Sequence, residues 1–337
     1  MISRRAFVGG VALSFAAPSV LRAQTARTLK ISHQFPGGSI EQGDFRDRLC
    51  RKFAAQVEER AGGALRFEIY PGSSLMKTDA QFSALGKGAL DLSLYPLAYA
   101  GGEIPAMNLG LMPCLVTSCE QGAKWKDAAV GKSLARIAEE KGIKFISWIW
   151  QAGGIASAKG PIKAPDDVKG MKIRGGSREM DLLLSAAGAT VSTMPSNEIY
   201  PSMQTGALDA AMTSSTSLMS FRLEGLANAV TTARAGSIWF MCEPLLMSKD
   251  VFESLSPSQQ KVITDTGEEM EWFGAVEARK DDEAVAKVYA AKGAAAVDFT
   301  ADDIAKWRAI AEDSAWKDFA SRSGEASELL ASARSVA

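Results

Sequence analysis

Arg174 is the residue whose type and position most clearly indicate binding chemistry. It lies in the stretch DDVKGMKIRGG at 166–176, where the short run MKIR predicts a β-strand and two glycines follow at once. A guanidinium group carries a planar fork of N–H donors that matches a carboxylate in two parallel hydrogen bonds. If the strand end faces a cleft, Arg174 holds an anion. The alternative is an ordinary surface arginine beside a turn.

Catalytic chemistry has little support elsewhere in the chain. The sequence contains a single histidine, His33, and no Gly-x-Ser-x-Gly elbow, phosphate-binding loop or HExxH motif. His33 follows a predicted strand, where a hydrogen-bonding role is more common than that of a general base. We therefore predict no enzyme, no catalytic residue and no cofactor. A lyase or isomerase that uses His33 is the alternative.

The first residues are typical of an export signal. Arg4 and Arg5 precede an uncharged stretch at 6–21, and a small-residue cleavage site follows. The uncharged stretch is too short for a membrane span. The arginine pair in SRRAF fits a twin-arginine signal, with an ordinary export signal as the alternative. We expect cleavage after Ala23 and a periplasmic mature protein of residues 24–337.

The composition is that of a folded globular chain. The 337 residues are 47% hydrophobic and 23% charged, and the formal net charge is −1. This charge argues against a nucleic-acid partner, which would favour a basic surface. The four cysteines form no CxxC pair, so no zinc or thioredoxin site is predicted. Twin-arginine cargo folds before export, so we expect free thiols, with a Cys114–Cys119 disulfide as the alternative.

Strand and helix signals alternate along the chain, which indicates an α/β fold. The predicted strands lie at 28–35, 65–70, 90–95, 143–150, 171–174, 189–194 and 208–213, and the clearest helical patterns at 44–60, 256–292 and 300–322. The stretch at 82–94 resembles that at 200–212, since both place Gly-Ala-Leu-Asp between a helical pattern and an apolar strand. The repetition indicates one supersecondary unit used once in each of two lobes.

The pattern at 256–292 predicts one unusually long helix. Ser256 and Pro257 are good opening residues, and no later proline interrupts the pattern. At 1.5 Å per residue the helix would span about 55 Å, which exceeds one small domain. It is therefore expected to bridge both lobes, with Gly267 and Gly274 as possible bending points.

Two longer stretches, at 164–177 and 188–211, resemble a known family. The pattern is similar to that of DctP-type solute-binding proteins, which serve tripartite ATP-independent periplasmic (TRAP) transporters. The matching residues, with Val168 in place of the family's leucine, are Asp167, Val168, Lys169, Gly170, Lys172, Ile173, Arg174, Gly188, Ala189, Glu198, Tyr200, Gly206 and Asp209. The resemblance covers about residues 28 to 320.

The resemblance implies a two-lobed fold of the periplasmic binding protein type. Lobe I would comprise about 27–150 with part of 214–255, and lobe II about 151–213 with part of the C-terminal helices. Strands and a long helix would cross between them. Arg174 would form a salt bridge to the carboxylate of an organic acid, which a monomeric receptor delivers to TRAP membrane permease subunits. A sensor subunit that presents its ligand to a membrane kinase is a further alternative.

The candidate ligand-binding residues lie where strand ends are expected to meet the cleft. Besides Arg174 they are His33, Gln34, Phe35, Tyr95, Trp148, Trp150, Gln151, Thr213, Ser214, Trp239 and Phe240. Trp148 and Trp150 are expected on one face of a single strand, and each aromatic residue has core packing as its alternative. In the resemblance, Met212 stands where many family members carry a glutamate that some use for a metal, so no metal site is predicted. We expect a monocarboxylate with an uncharged, partly apolar or aromatic body.

Overall fold

Two β-sheets form the centres of two lobes in the computed structural model, which describes residues 26–336. The first sheet has the order β2-β1-β3-β11-β4. Its strands are β1 (Arg27–Ser32), β2 (Leu65–Tyr70), β3 (Leu92–Leu94), β4 (Ile143–Ser147) and β11 (Leu245–Ser248). The expected export signal at 1–23 lies outside the described residues.

The second sheet has the order β12-β9-β5-β8-β6-β7, with β10 paired to β5. Its strands are β5 (Trp150–Ser157), β6 (Lys172–Arg174), β7 (Thr190–Val191), β8 (Ala210–Ser214), β9 (Ala229–Thr232), β10 (Phe240–Cys242) and β12 (Ala295–Asp298). β6 runs parallel to β7 and β8, whereas β5 is antiparallel to β8, β9 and β10. β6 therefore lies between β7 and β8, and only β8 separates it from β5.

Helices cover both sheets. They are α1 (Phe45–Arg60), α2 (Thr78–Gly86), α3 (Cys119–Lys124), α4 (Ala129–Glu139), α5 (Arg178–Ala186), α6 (Ile199–Gln204), α7 (Ser215–Ser220), α8 (Lys249–Glu253), α9 (Pro257–Ala290), α10 (Ala301–Ala311), α11 (Lys317–Ser321) and α12 (Gly324–Arg334). Shorter 3₁₀ segments at Leu97–Gly102 and Pro105–Leu111 follow β3. Over the described part of the chain, none of these helices has the length and apolar character of a membrane span.

The chain crosses between the sheets at two adjacent points. One crossing joins β4 to β5 at Trp148 and Ile149, and the other joins β10 to β11 at Glu243 and Pro244. The crossings lie side by side, because the Glu243 N–H donates to the Ile149 carbonyl at 2.7 Å. The predicted α/β fold with crossing strands is confirmed.

The prediction of one strand over 143–150 was wrong. β4 and β5 belong to different sheets, so Trp148 and Trp150 do not share a face. Trp148 stacks on Phe145 with ring centroids 4.4 Å apart, whereas Trp150 packs edge-on against Trp125 at 5.1 Å. Alternation along a sequence fixes side-chain direction only while the chain remains in one sheet.

Helix α9 bridges the two lobes without a break. It packs on α1 and β4 of the first lobe and on α7, β9 and β12 of the second. Gly267 and Gly274 do not interrupt it. A Cβ at Gly267 would overlap the Ile146 carbonyl, and one at Gly274 would lie 3.0 Å from Ile149 Cγ2. The glycines therefore let the helix approach the crossing strand closely.

The repeated Gly-Ala-Leu-Asp unit occurs once beside each sheet, as predicted. Gly88 follows α2 with φ +66°, and Gly206 follows α6 with φ +72°. These left-handed conformations favour glycine and end the helices. β3 then enters the first sheet and β8 the second. The predicted strand at 189–194 shortens to β7, and the helix at 300–322 contains a π-turn at Glu312–Trp316. All four cysteines are free thiols.

Candidate functional site

Arg174 is the last residue of β6 and is almost fully buried, with 1% exposure. Its Nε donates to the Met194 carbonyl at 3.1 Å and its Nη1 to the Met212 carbonyl at 2.7 Å. Its Nη2 donates to the hydroxyl of Tyr99 at 2.6 Å. Met194 and Met212 belong to the second lobe and Tyr99 follows β3 of the first, so the side chain lies at the boundary between the lobes.

The guanidinium of Arg174 has donors to spare and no acidic partner. Three of its N–H groups bond to protein, which leaves one on each terminal nitrogen out of the five that an arginine carries. Within residues 26–336 no carboxylate comes within ion-pair distance of it. A buried, unpaired charge is unfavourable. This arginine is therefore suited to an external anion.

The acidic side chain that interacts with Arg174 electrostatically is Asp181, and it is engaged elsewhere. Its carboxylate accepts from the Thr193 hydroxyl at 2.7 Å and from the Gly175 N–H at 3.3 Å. Burial raises the pKa of Asp181, and the Thr193 hydrogen bond and the Arg174 charge only partly offset that rise. Asp181 thus orients the turn after β6 rather than neutralising the arginine.

The glycine pair after Arg174 is required by geometry. Gly176 has φ +102°, and a Cβ there would lie 2.7 Å from Arg174 Nη1. A Cβ at Gly175 would lie 2.7 Å from Asp181 Oδ1, and the Gly175 carbonyl accepts the indole N–H of Trp239 at 3.1 Å. Because Gly176 has no side chain, the guanidinium of Arg174 has room beside the turn. Gly175 likewise leaves room for the carboxylate of Asp181.

A cavity of about 320 Å³ lies between the lobes next to this arginine. Tyr99, Gly176 and Met194, which surround the guanidinium, are part of its wall. The other lining residues are Asp79, Ala98, Gly101, Gly102 and Asn108 of the first lobe and Ser177, Arg178, Thr193 and Pro195 of the second. The Asn108 amide makes no hydrogen bond to the described residues, so it is available to a ligand.

Three of the predicted residues lie close to Arg174. Tyr95 packs edge-on against Tyr99, with ring centroids 6.1 Å apart. Trp239 bonds to the turn after β6, as described above. Thr213 directly follows Met212 in β8, and its hydroxyl makes no hydrogen bond to the described part of the protein.

His33, Gln34 and Phe35 directly follow β1. The contacts of His33 and Phe35 within the protein are structural. His33 Nε2 is 3.2 Å from Asp47 Oδ1, and its Nδ1 accepts the Phe35 N–H at 3.3 Å. Phe35 stacks beneath Arg46, whose Cζ lies 3.6 Å from the ring centroid. The amide of Gln34 is buried with neither polar atom partnered, so Gln34 stays a candidate.

The remaining predicted residues are not next to Arg174. Trp148 and Trp150 pack as described above, and Phe240 lines a different cavity with Cys119 and Arg279. Ser214 and Gln151 belong to a buried cluster around Arg46, which we call the hinge cluster. It consists of Asp44, Arg46, Gln151, Ser214, Ser217 and Glu243.

The hinge cluster connects both lobes with the crossing strand. Arg46, in the first turn of α1, donates twice to Asp44, once to Ser214 at 3.1 Å and once to Ser217 at 3.0 Å. Its last N–H reaches Glu243 at 3.5 Å. All five donors are therefore used, and the cluster leaves no cation available for a ligand.

Burial and pairing divide the two acids of the hinge cluster. Burial alone would raise the pKa of Asp44, but the charge and hydrogen bonds of Arg46 outweigh it and hold the pKa below its usual range. Burial raises the pKa of Glu243 to about 7, because Arg46 is already neutralised by Asp44 and only partly opposes the effect. Glu243 Oε2 accepts from the Gln151 amide, while Oε1 has no partner in the part of the chain that the structure describes.

Comparison with known proteins shows which family this chain belongs to. The sequence model described as "Bacterial extracellular solute-binding protein, family 7" (DctP) matches residues 42–322. This chain belongs to the DctP family. The recognition made from the 164–211 segment is therefore confirmed, and the protein is a periplasmic solute-binding protein of the TRAP type.

Several relatives resemble the chain over most of its length. A solute-binding protein of Albidiferax ferrireducens is 58% identical over 97% of this chain and 96% of its own. The crystal structure of a TRAP periplasmic solute-binding protein from Rhodoferax ferrireducens with bound malonate has a TM-score of 0.90 and 59% identity, covering 91% of this chain and 98% of the other. The 2,3-diketo-L-gulonate-binding periplasmic protein of Escherichia coli is 28% identical over 69% of this chain and 71% of its own.

Three residues at the boundary between the lobes were missed from the sequence: Tyr99 and Asn108 at the cavity, and Arg46 in the hinge cluster. Tyr99 and Asn108 lie in 3₁₀ segments directly after β3, and a Gly- and Ala-rich stretch after a strand end was the available signal. Arg46 had none, since a charge in the first turn of an amphipathic helix usually faces solvent.

Proposed function

We propose that this DctP-family protein captures a small organic carboxylate in the cavity beside Arg174 and delivers it to a TRAP permease. The observation that carries the proposal is the state of the arginine. It is buried, it has no acidic partner among residues 26–336, and there it keeps one N–H unused on each terminal nitrogen. A carboxylate supplies the missing charge and two acceptors at once.

We propose further that the ligand is a monocarboxylate. The second arginine at the cavity, Arg178, is already paired with Asp318 at 2.5 Å, so another ligand carboxylate would compete with that acid. Ala98, Met194 and Pro195 offer apolar surface, while the Asn108 amide suits a hydroxyl or keto group. Malonate, named with the Rhodoferax structure, is a dicarboxylate and is therefore the most informative competitor.

The division into lobes supports closure on the ligand. We propose that lobe I comprises about 27–147 with β11 and α8, and lobe II about 150–242 with β12. They would open and close about the two crossings and α9. Because both walls of the cavity come from one chain, a monomer is sufficient. Small-angle scattering with and without ligand measures both the closure and the mass.

We propose no catalytic step. His33 is held by Asp47 on one side and by the Phe35 N–H on the other, which is a structural use of both ring nitrogens. Prolonged incubation with a bound acid, followed by mass spectrometry, should return the acid unchanged. Conversion that depends on His33 would instead support a lyase or isomerase.

Calorimetry on the mature chain tests the proposal. We expect saturable binding of a small monoacid, weaker binding of malonate, and near loss of binding in Arg174→Ala. Loss of one partner of a buried charge pair costs roughly 2–5 kcal/mol, or about 30- to several-thousand-fold in affinity. Arg174→Lys keeps the charge but not the fork and should also bind clearly worse.

The matched control is Arg234→Lys, which changes an exposed arginine paired with Asp298. It should bind like the wild type. Unchanged affinity in Arg174→Ala would contradict the carboxylate site. Tighter binding of malonate than of every monoacid would contradict only the monocarboxylate proposal. Uptake into vesicles that contain the partner membrane subunits tests delivery.

A further inference from the structure

We infer that the hydroxyl of Tyr99 is the hydrogen-bond donor from the first lobe to the ligand carboxylate, and that this contact couples binding to lobe closure. The inference rests on the proposed function and adds to it a residue, a direction of hydrogen bonding and a consequence for specificity.

Tyr99 reaches from the first lobe into the second. Its segment, Leu97–Gly102, follows β3, yet its hydroxyl oxygen contacts Arg174 Nη2 at 2.6 Å and the Ser196 backbone nitrogen at 3.1 Å. Both partners belong to the second lobe and both are donors. The oxygen therefore acts as an acceptor in both contacts.

The proton of Tyr99 is left without an acceptor. A phenolic hydroxyl has one proton to donate, and no acceptor for it occurs within the described residues 26–336. Tyr99 also lines the inter-lobe cavity. Tyr99 is only partly buried, so its hydroxyl is accessible from the cavity, and we expect an acceptor on the cavity occupant to take this proton.

One carboxylate can satisfy both lobes. The Tyr99 oxygen and Arg174 Nη2 are only 2.6 Å apart, and Nη2 also retains an unused N–H. A ligand carboxylate beside them accepts from the arginine of the second lobe and from the tyrosine of the first. It can do so only when the lobes are together, so the anion stabilises the closed state through this pair.

The arrangement also selects the ligand by its hydrogen-bonding character. With the Tyr99 oxygen occupied by two donors, a ligand group that offers only N–H or O–H at this position finds no acceptor. A primary amide of the same acid keeps only one acceptor oxygen, so either Arg174 or Tyr99 then faces an N–H, and the amide should lose more affinity than the loss of the ligand's charge alone explains. Removal of the hydroxyl should reduce the discrimination between acid and amide.

Tyr99→Phe is the decisive variant, since the ring can keep its packing on Tyr95 and its position 5.9 Å from the Arg174 guanidinium. We expect affinity for the best monoacid to fall on the order of 10- to 100-fold. Scattering at equal saturation should show a less compact complex. Tyr70→Phe is the matched control, because its hydroxyl donates to Glu68 on the exposed side of β2, and it should bind like the wild type.

A double-mutant cycle separates donation to the ligand from mere positioning of the arginine. If Tyr99 donates to the ligand, Tyr99→Phe weakens binding further in the Arg174→Lys background. If the tyrosine only holds the arginine, the second substitution adds nothing and the inference is overturned. Wild-type affinity in Tyr99→Phe also overturns it. Absence of carboxylate binding in the wild type itself would instead refute the proposed function.

Discussion

Two buried arginines occupy neighbouring parts of the boundary between the lobes, and their surroundings differ in kind. Arg46 and Arg174 are each 1% exposed. Arg46 places all five N–H groups on protein acceptors, including the carboxylates of Asp44 and Glu243, and lies over the ring of Phe35. Arg174 uses three donors, on two backbone carbonyls and one hydroxyl.

The difference separates a structural charge from a binding charge. A buried ion pair with its hydrogen bonds complete holds the protein together, and removal of one partner leaves the other charge uncompensated. A buried cation that meets only neutral acceptors gains most when an anion arrives. The hinge cluster is therefore expected to determine stability, and the Arg174 site to determine affinity.

The largest expected effect is on stability at the hinge. Arg46→Met removes the partner of two buried carboxylates, so the free energy of unfolding should fall by roughly 3–5 kcal/mol. Arg174→Met removes no ion pair, and Asp181 keeps its hydrogen bonds to Thr193 and Gly175, so the ligand-free stability should change by only about 1–2 kcal/mol. Urea unfolding of both variants without ligand measures the contrast. Equal losses in the two variants would mean that the arginines do not differ as described.

The next effect concerns pH and Glu243. Its pKa in the folded protein is about 7, against an ordinary value of 4.5, because burial disfavours the charged form. The folded state therefore binds this proton more tightly than the unfolded state does. The stability gained from it is complete below pH 4.5 and is lost as pH rises to 7, in total about 3 kcal/mol.

Glu243→Gln removes that titration while keeping an oxygen for Arg46. Relative to the wild type, its free energy of unfolding should rise by about 2.4 kcal/mol between pH 5 and pH 7.5. Urea titrations across this range provide the measurement, with the exposed Glu253→Gln as a control that should follow the wild type. Parallel pH curves for Glu243→Gln and wild type would show that Glu243 does not titrate in the folded protein as stated.

The smallest effect concerns the space beside Arg174. Gly176→Ala adds a Cβ 2.7 Å from Nη1 at a residue with φ +102°, so the turn must shift and the guanidinium with it. Affinity for the ligand should fall by about 1–3 kcal/mol, which corresponds to about 5- to 150-fold. Gly160→Ala has no heavy atom within 4 Å of its Cβ and should bind normally. Normal binding in Gly176→Ala would show that the turn adjusts without moving the arginine.

Much of the architecture follows from local patterns in the sequence. The alternation of strands and helices, the length of α9 and the glycine turns after α2 and α6 are set by residues within one element, so periodicity and capping predict them. The same holds for Arg174, whose strand and glycines are adjacent to it in sequence. The prediction of one strand over 143–150 was wrong because the chain changes sheet between Ser147 and Trp150. Such a change leaves no pattern in the local sequence.

The sequence by itself determined that Arg174 ends a strand with space beside it and that the chain has two lobes of similar build. Only the tertiary structure decided which arginine is neutralised. The partners of Arg46 at Ser214 and Glu243 lie 168 and 197 residues away, and Tyr99 lies 75 residues from Arg174. The physical reason is that burial and pairing of a charge depend on what the fold brings within a few ångströms, and the two crossings and α9 bring those segments together.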